Sequence, residues 1–236
     1  MKKVNLLIIL LLSSCVIISQ DNGIVTADFE KIDFKEIKTE VLAKNSNFNF
    51  EKLIKRYQAN DTTLDIIDYK YLYYGYTFTD TYEPYARNSE QEKKVNKLLA
   101  KQNPTTTDYK NILKITSSVL KQNPFDLDMI WITHLSYSKL RKESEAKKWL
   151  YKFDKIIETI FKSGDGLSIE TAMTVIDTRH EYIILEITGF VFGGQQSLVS
   201  GHYDYLKLKK NQYRIEGLYF NVERLLDVNM QKIKKK

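Results

Sequence analysis

Cysteine is nearly missing from this chain: Cys15 is the only one among 236 residues. A single thiol excludes a disulfide framework, a CxxC redox pair and a thiolate metal centre. Histidine is scarce too, with His134, His180 and His202 as the three copies. His180-Glu181 opens like a zinc-peptidase HExxH pair. Ile184 and Leu185 occupy the region of the second histidine, so neither a metal nor a cofactor is expected. No serine stands between glycines in GxSxG spacing, which removes the nucleophile elbow. The stretch 189–201 holds several glycines but no phosphate-cradling lysine, and it reads as a hairpin-like or excursion loop.

The formal charge of +6 overstates how basic the body is. Lys2 and Lys3 lie at the N-terminus, and Lys232, Lys234, Lys235 and Lys236 form a tail; without these six the chain is formally neutral. Nucleic-acid recognition needs a face of clustered Lys and Arg, and none is expected here. The lysine tail, 231–236, reads as solvated.

What is present begins with a leader. Lys2 and Lys3 precede the apolar run Val4–Leu12, interrupted only by Asn5, and Ser13, Ser14 and Cys15 follow. This is the layout of a secretory signal, and the run is too short for a stop-transfer helix. Residues 1–19 are expected to be a signal peptide that sends the protein to the periplasm, the cell envelope or the secreted space. Leu12-Ser13-Ser14-Cys15 fits a lipobox, which would acylate Cys15 and supply the only membrane attachment. Cleavage after Ser19 would instead leave Gln20 first, and Val16-Ile17-Ile18 fits that route by prolonging the apolar run. An uncleaved anchor is the third alternative. About 215 residues remain after cleavage, enough to bury a core without disulfides.

The hydrophobic rhythm then predicts an α+β fold. Residues 20–46 are polar and irregular, with one short helix around Phe34–Leu42. Residues 47–166 repeat apolar side chains every three or four positions. Phe50, Leu53, Ile54 and Tyr57 mark one helix. Leu64, Ile67, Tyr71 and Tyr74 mark the next, with Asp61-Thr62-Thr63 as its cap and Gly75 as a positive-φ stop. Further helices cover Glu90–Lys101, a segment capped at Thr107 or Asp108 that stops before Pro124, Asp126–Leu140 and Glu145–Lys162. His134, Tyr137, Ala146, Leu150 and Phe153 match the packing positions of a tetratricopeptide-like helix pair. From 167 to 230 the rhythm changes to a mostly antiparallel sheet of about four strands with a closing helix. The strands are expected at Ala172–Asp177, His180–Thr188, Tyr203–Leu208 and Tyr213–Asn221. Turns are expected at Thr178-Arg179, Gly193-Gly194 and Lys210–Gln212. In the closing helix, Val222–Ile233, Leu225, Leu226 and Met230 should point inward.

Two groups of side chains could carry a function. Tyr57, Tyr69, Tyr71, Tyr73, Tyr74, Tyr76, Tyr82 and Tyr85 are half of the chain's 16 tyrosines. Phenol rings can frame a ligand, so Tyr73, Tyr74, Tyr76, Tyr82 and Tyr85 form a candidate surface; helical spacing favours core packing instead. His180 and Glu181, on opposite faces if a strand carries them, and His202 and Asp204, on one face, complete the candidate surface. Asp177, Glu181, Glu186, Asp204 and Glu216 could supply paired carboxylates of the glycosidase kind.

Leu72-Tyr73-Tyr74-Gly75-Tyr76, Tyr82-x-Pro84-Tyr85, His180–Leu185, Gln196-Ser197-Leu198 and Leu218–Asn221 together resemble an exported domain-of-unknown-function family of Bacteroidetes-type bacteria. The resemblance covers roughly Phe48–Leu226. Asn221 departs from it where an aspartate is expected, which removes a carboxylate role there. The resemblance implies an envelope location and a single composite domain, and it carries over no catalytic residue. The reading that follows is a non-enzymatic module binding a protein or small ligand where helices and sheet join, without specific nucleic acid. The alternative is a hydrolase or carbohydrate-active protein using clustered carboxylates and aromatics.

Overall fold

The computed structural model describes residues 29–86 and 89–234. The expected signal peptide with Cys15, and the last two lysines, lie outside the described residues. The helices are α1 (Phe34–Leu42), α2 (Phe50–Gln58), α3 (Ile66–Gly75), α4 (Ser89–Leu99), α5 (Thr106–Gln122), α6 (Leu127–Lys139) and α7 (Glu143–Lys162). They are followed by β1 (Met173–Thr174), α8 (Thr178–Thr188), β2 (Phe192–Val199), β3 (Tyr203–Leu208), β4 (Gly217–Asn221) and α9 (Glu223–Ile233). The architecture is α+β. Among the described residues two compact units emerge, one within 33–160 together with 227–234 and one of 161–226 together with 29–32.

In the helical unit, caps set the helix starts. Asp33 accepts from the Lys35 and Glu36 N–H groups at 2.8 and 3.2 Å, so α1 begins at Phe34. Asp65, not the Asp61–Thr63 turn, caps α3, forming a reciprocal box with Asp68. Asp61 is engaged otherwise, accepting from Thr63 N at 2.9 Å and from Arg56 Nε at 2.8 Å. Thr105 and Asp108 make the equivalent box for α5, so Asp108 supports the cap from inside the helix. Gly75 does not stop α3 through positive φ: it is right-handed, and a 3₁₀ turn over Tyr76–Phe78 continues from it. Glycine is needed because a Cβ there would meet Val41 Cγ1 at 2.7 Å.

The second half of α3 is buried throughout, with Tyr71, Leu72, Tyr73 and Tyr74 in the core together with Tyr69, while Ile67 in its first turn is exposed. Its rings interlock with Phe125: the centroid of Phe125 lies 5.8 Å from that of Tyr73 and 5.3 Å from that of Tyr76. Tyr57 donates to the Pro124 carbonyl at 2.9 Å, and Tyr76 to the Gln122 carbonyl at 3.0 Å. The Gln122 carbonyl ends α5 and the Pro124 carbonyl lies just beyond it, where proline forbids the next helical turn. The helix pair likened to a tetratricopeptide unit is α6 and α7. They meet through large side chains, Trp131 against Phe153 with centroids 5.2 Å apart, while α6 lies most closely along α5. The tetratricopeptide likeness thus rests on sequence spacing alone.

The other unit contains the four-stranded sheet in the order β1-β4-β3-β2. β2, β3 and β4 are antiparallel, but β1 pairs parallel to β4, so the sheet is mixed and not a plain meander. β3 keeps the alternation read from its sequence: Asp204, Leu206 and Leu208 are buried. Two segments correct the sequence reading. His180–Thr188, expected as a strand, is the helix α8, and Thr178-Arg179 is its first turn. Asp177 caps it, Gly189 closes it in the left-handed region at φ 77°, and His180, Glu181, Ile184 and Leu185 form its buried stripe. The β-branched composition suggested a strand, and the caps outweigh it. Gly193-Gly194, expected as a turn, lies inside β2 at a register shift between Phe192 and Gln196, with Gly194 at φ 88°. The turn before β3 runs through Ser200 and Gly201, both at positive φ.

In α9, Leu225 and Val228 are buried while Met230 is exposed. Lys232 is no solvated tail residue: its ammonium donates to the Tyr82 carbonyl at 2.7 Å and meets Glu83 at 2.6 Å. Among the described residues no helix is long and apolar enough to cross a membrane.

The Tyr76 hydroxyl provides a direct test of how the core is satisfied. Tyr76→Phe should cost about 0.5–1.5 kcal/mol, because the part-buried Gln122 carbonyl at the end of α5 loses its donor. Urea unfolding should show a lower midpoint with an unchanged slope; an unchanged midpoint would mean the hydroxyl is idle.

Candidate functional site

The first turns of α8 concentrate the polar groups of the sheet unit. Asp177 is buried and receives Arg179 three ways: from its N–H at 2.9 Å, from Nε at 3.1 Å and from Nη2 at 2.6 Å. Burial alone would raise the Asp177 carboxyl. His180, the Arg179 guanidinium and the Arg179 N–H outweigh burial and hold it below the ordinary range. This carboxylate is ionised and its charge is matched.

One residue past His180, Glu181 faces a different situation. It has 0% exposure, and Asp204, on β3, is its neighbour. Gln196, on β2, donates from Nε2 to Asp204 Oδ2 at 2.8 Å and to Glu181 Oε2 at 3.4 Å. The amide is oriented by Tyr182, whose hydroxyl donates to Gln196 Oε1 at 2.7 Å. Glu181 Oε1 receives no donor. Burial first, then the charge and hydrogen bond of Asp204 and the charge of Asp177, push the Glu181 carboxyl well above its ordinary range. Two ionised carboxylates in contact, one with a bare buried oxygen, would be untenable. A proton on Glu181 removes one charge and supplies the missing donor. Beside Asp204, the neutral form of the Glu181 carboxyl is therefore the favoured one.

The other expected residues are distributed differently. His180 is buried on the α8 stripe beside Glu181. His202 sits in the turn before β3, its ring 4.4 Å from that of Tyr203, and has no hydrogen bond to Asp204 among the described residues. Tyr73, Tyr74, Tyr76 and Tyr82 are buried within the helical unit, whereas Tyr85 is exposed. A ligand would meet Tyr85 and not the other four rings. Among the described residues no group of three or more His, Cys, Asp and Glu is placed to hold a metal ion.

Gln196 and Tyr182 were not singled out from spacing as site residues, because 189–201 read as a loop and 180–188 as a strand. The signals for α8 were Asp177 as a cap, Gly189 as a stop and the repeat of a buried pair four residues on. Once α8 is a helix, Glu181 and Tyr182 fall on adjacent faces, and the Leu198↔Asp204 register places Gln196 near both carboxyls.

A family model described as a domain of unknown function (DUF4919) matches residues 35–231. No curated protein and no solved structure matches the chain.

The raised carboxyl has a pH signature of definite sign. A folded state that holds a proton on Glu181 gains its full benefit below the unfolded value near 4.5 and loses it as pH rises toward the elevated folded value. Within that window the wild type should lose about 1.4 kcal/mol per pH unit from this group. Glu181→Gln mimics the protonated acid, so thermal unfolding should show the two proteins matched near pH 5 and the variant more stable at pH 8. Parallel curves would mean that Glu181 is ionised.

Proposed function

The chain belongs to the domain-of-unknown-function family DUF4919, and on its own geometry we propose a non-enzymatic module, acting outside the cytosol, that binds an extended peptide segment of a partner protein along β2. The observation that carries this reading is the edge of the sheet at β2, which no further strand covers among the described residues. β2 is the last strand in the order, eight residues long, without a charged side chain and without a buried residue. Edge strands are ordinarily blunted by charge or proline, because unpaired N–H and C=O groups recruit further strands. Here only the bulge in the first half does so, and Gln196–Val199 stays in regular register. Leu198, 52% exposed, and Tyr182, 41% exposed, offer apolar surface beside that edge. An incoming strand would gain main-chain hydrogen bonds from β2 and side-chain contacts from these two residues.

The carboxyl pair supports this reading over the hydrolytic alternative. Glycoside hydrolysis requires two carboxyls about 5–5.5 Å or 6.5–9.5 Å apart with sugar or water between them. Glu181 is fully buried and is tied to Asp204 through the single amide of Gln196, which donates to both carboxyls. The pair fixes α8 against β2 and β3, and thereby holds the β2 edge in position.

Action outside the cytosol rests on Lys2-Lys3 and the apolar run that follows, and the Bacteroidetes-type origin belongs to the same reading. Intact mass of the processed chain should begin at Gln20 or at an acylated Cys15. A chain retaining Met1–Ser19 unmodified and recovered in the cytosolic fraction would remove the export half of the proposal.

The binding half is tested with a library of extended peptides presented to the full chain. Selected peptides should bind with protection of β2 amides from hydrogen exchange. Leu198→Lys and Gln195→Lys, which place charge on the edge, should weaken binding at least about tenfold. Their melting temperatures should stay near that of the wild type. No enrichment, or binding indifferent to both substitutions, would overturn it.

A further inference from the structure

Lys152, in the middle of α7, is a buried amine without a counter-charge. It is 4% exposed, and among the described residues its ammonium has no hydrogen bond and no ion pair. Its surroundings are two aromatic faces. Nζ lies 4.2 Å from the Tyr57 ring centroid and 4.3 Å from the Trp149 ring centroid. Tyr57 is committed to the Pro124 carbonyl and Tyr151, next along α7, to the Leu64 carbonyl at 2.7 Å, so neither phenol is a base for the amine. The neighbouring Lys155 is paired with Glu158 at 2.8 Å. Lysines placed for stability present the ammonium to open water or to a carboxylate; this one has no carboxylate partner among the described residues, and the residue is only 4% exposed.

We propose that Lys152 is a covalent attachment site for a small carbonyl compound, an aldehyde or an α-oxo acid. The unprotonated amine attacks the carbonyl carbon to give a carbinolamine. Loss of water, made of the carbonyl oxygen and two hydrogens, leaves a carbon–nitrogen double bond, with no oxidant or reductant required. The protonated imine is a flat cation, and the seat between Tyr57 and Trp149 already favours a cation over aromatic faces. The low exposure restricts the partner to small molecules.

Reactivity follows from the same surroundings. Burial, with no opposing charge, lowers the Lys152 amine from 10.5 to about 8. At neutral pH this gives roughly 300 times more free amine than an ordinary lysine has. Lower intrinsic nucleophilicity and restricted access take back part of that factor.

The test uses the full wild-type chain with sodium cyanoborohydride to trap imines, in separate arms with propanal and with pyruvate, read by peptide mapping. At pH 7, Lys152 should be alkylated at least about tenfold faster than Lys93, which is highly exposed. The preference should vanish in urea and shrink above pH 10, and Lys152→Arg should remove that one labelled peptide. Preference in only one arm identifies the carbonyl class. A purely structural cation–π role makes the opposite prediction, that burial protects Lys152. Labelling in both arms no faster than at Lys93 would overturn the proposal, and the wild-type comparison needs no variant to fold.

Discussion

A phenol can enter a protein core only if its hydroxyl finds an acceptor there, and the helical unit is organised around that requirement. The second half of α3, Tyr71–Gly75, is buried throughout, so it offers its tyrosines no open solvent face. The neighbouring chain supplies acceptors instead. α5 is stopped by Pro124, and the Gln122 carbonyl at its end and the Pro124 carbonyl just beyond it receive Tyr76 and Tyr57. The Leu64 carbonyl, just before the α3 cap, receives Tyr151. Helix ends that would cost free energy when buried are thus paired with hydroxyls that would cost free energy when buried. Each removes the other's penalty, and Phe125 fills the space that remains between the rings.

The sheet unit meets the same requirement with protons in place of phenols. Asp177 keeps its charge because Arg179 and His180 lie against it. Glu181, one helical turn along, has no cation and gives up its charge to become the donor that Asp204 needs. Gln196 then spans both carboxyls, and its own oxygen is occupied by Tyr182. The chain of contacts from α8 to β3 to β2 is closed at each step. Only Tyr182 and Gln196 reach the surface from it.

How much of this was legible in the sequence depends on which force set each element. Where periodicity and caps agree, as in α1 behind Asp33, or where proline leaves no choice, as at the end of α5, the boundaries can be read directly. β3 is equally plain, because Asp204, Leu206 and Leu208 alternate with Tyr203, Tyr205 and Lys207. The failures occur where composition and local geometry conflict. Isoleucine-rich α8 has strand-like composition, yet Asp177 and Gly189 impose a helix. The glycines of β2 resemble a turn, yet they serve a bulge within a strand. Gly75 resembles a stop, yet it makes room for Val41. A glycine is recognisable in sequence, but its reason for being there is a neighbour that only the fold supplies. The pairing of Glu181 with Asp204 was invisible for the same reason: it needs α8 to be a helix and β2 to be in register.

Lys152 extends the contrast. A core that has matched its phenols to carbonyls, and a sheet that has matched its acids to a shared proton, leave few ionisable groups unanswered. The desolvation that keeps a proton on Glu181 takes one from Lys152, since burial in each case favours the neutral form. For the acid, neutrality completes a hydrogen-bonded structure and serves the fold. For the amine it completes nothing, because among the described residues no acceptor pairs with the nitrogen and the two rings prefer the cation they are being denied. That mismatch between a seat built for positive charge and surroundings that drain it is relieved when the nitrogen becomes part of a delocalised cation, which carries its charge over more atoms and is less costly to bury.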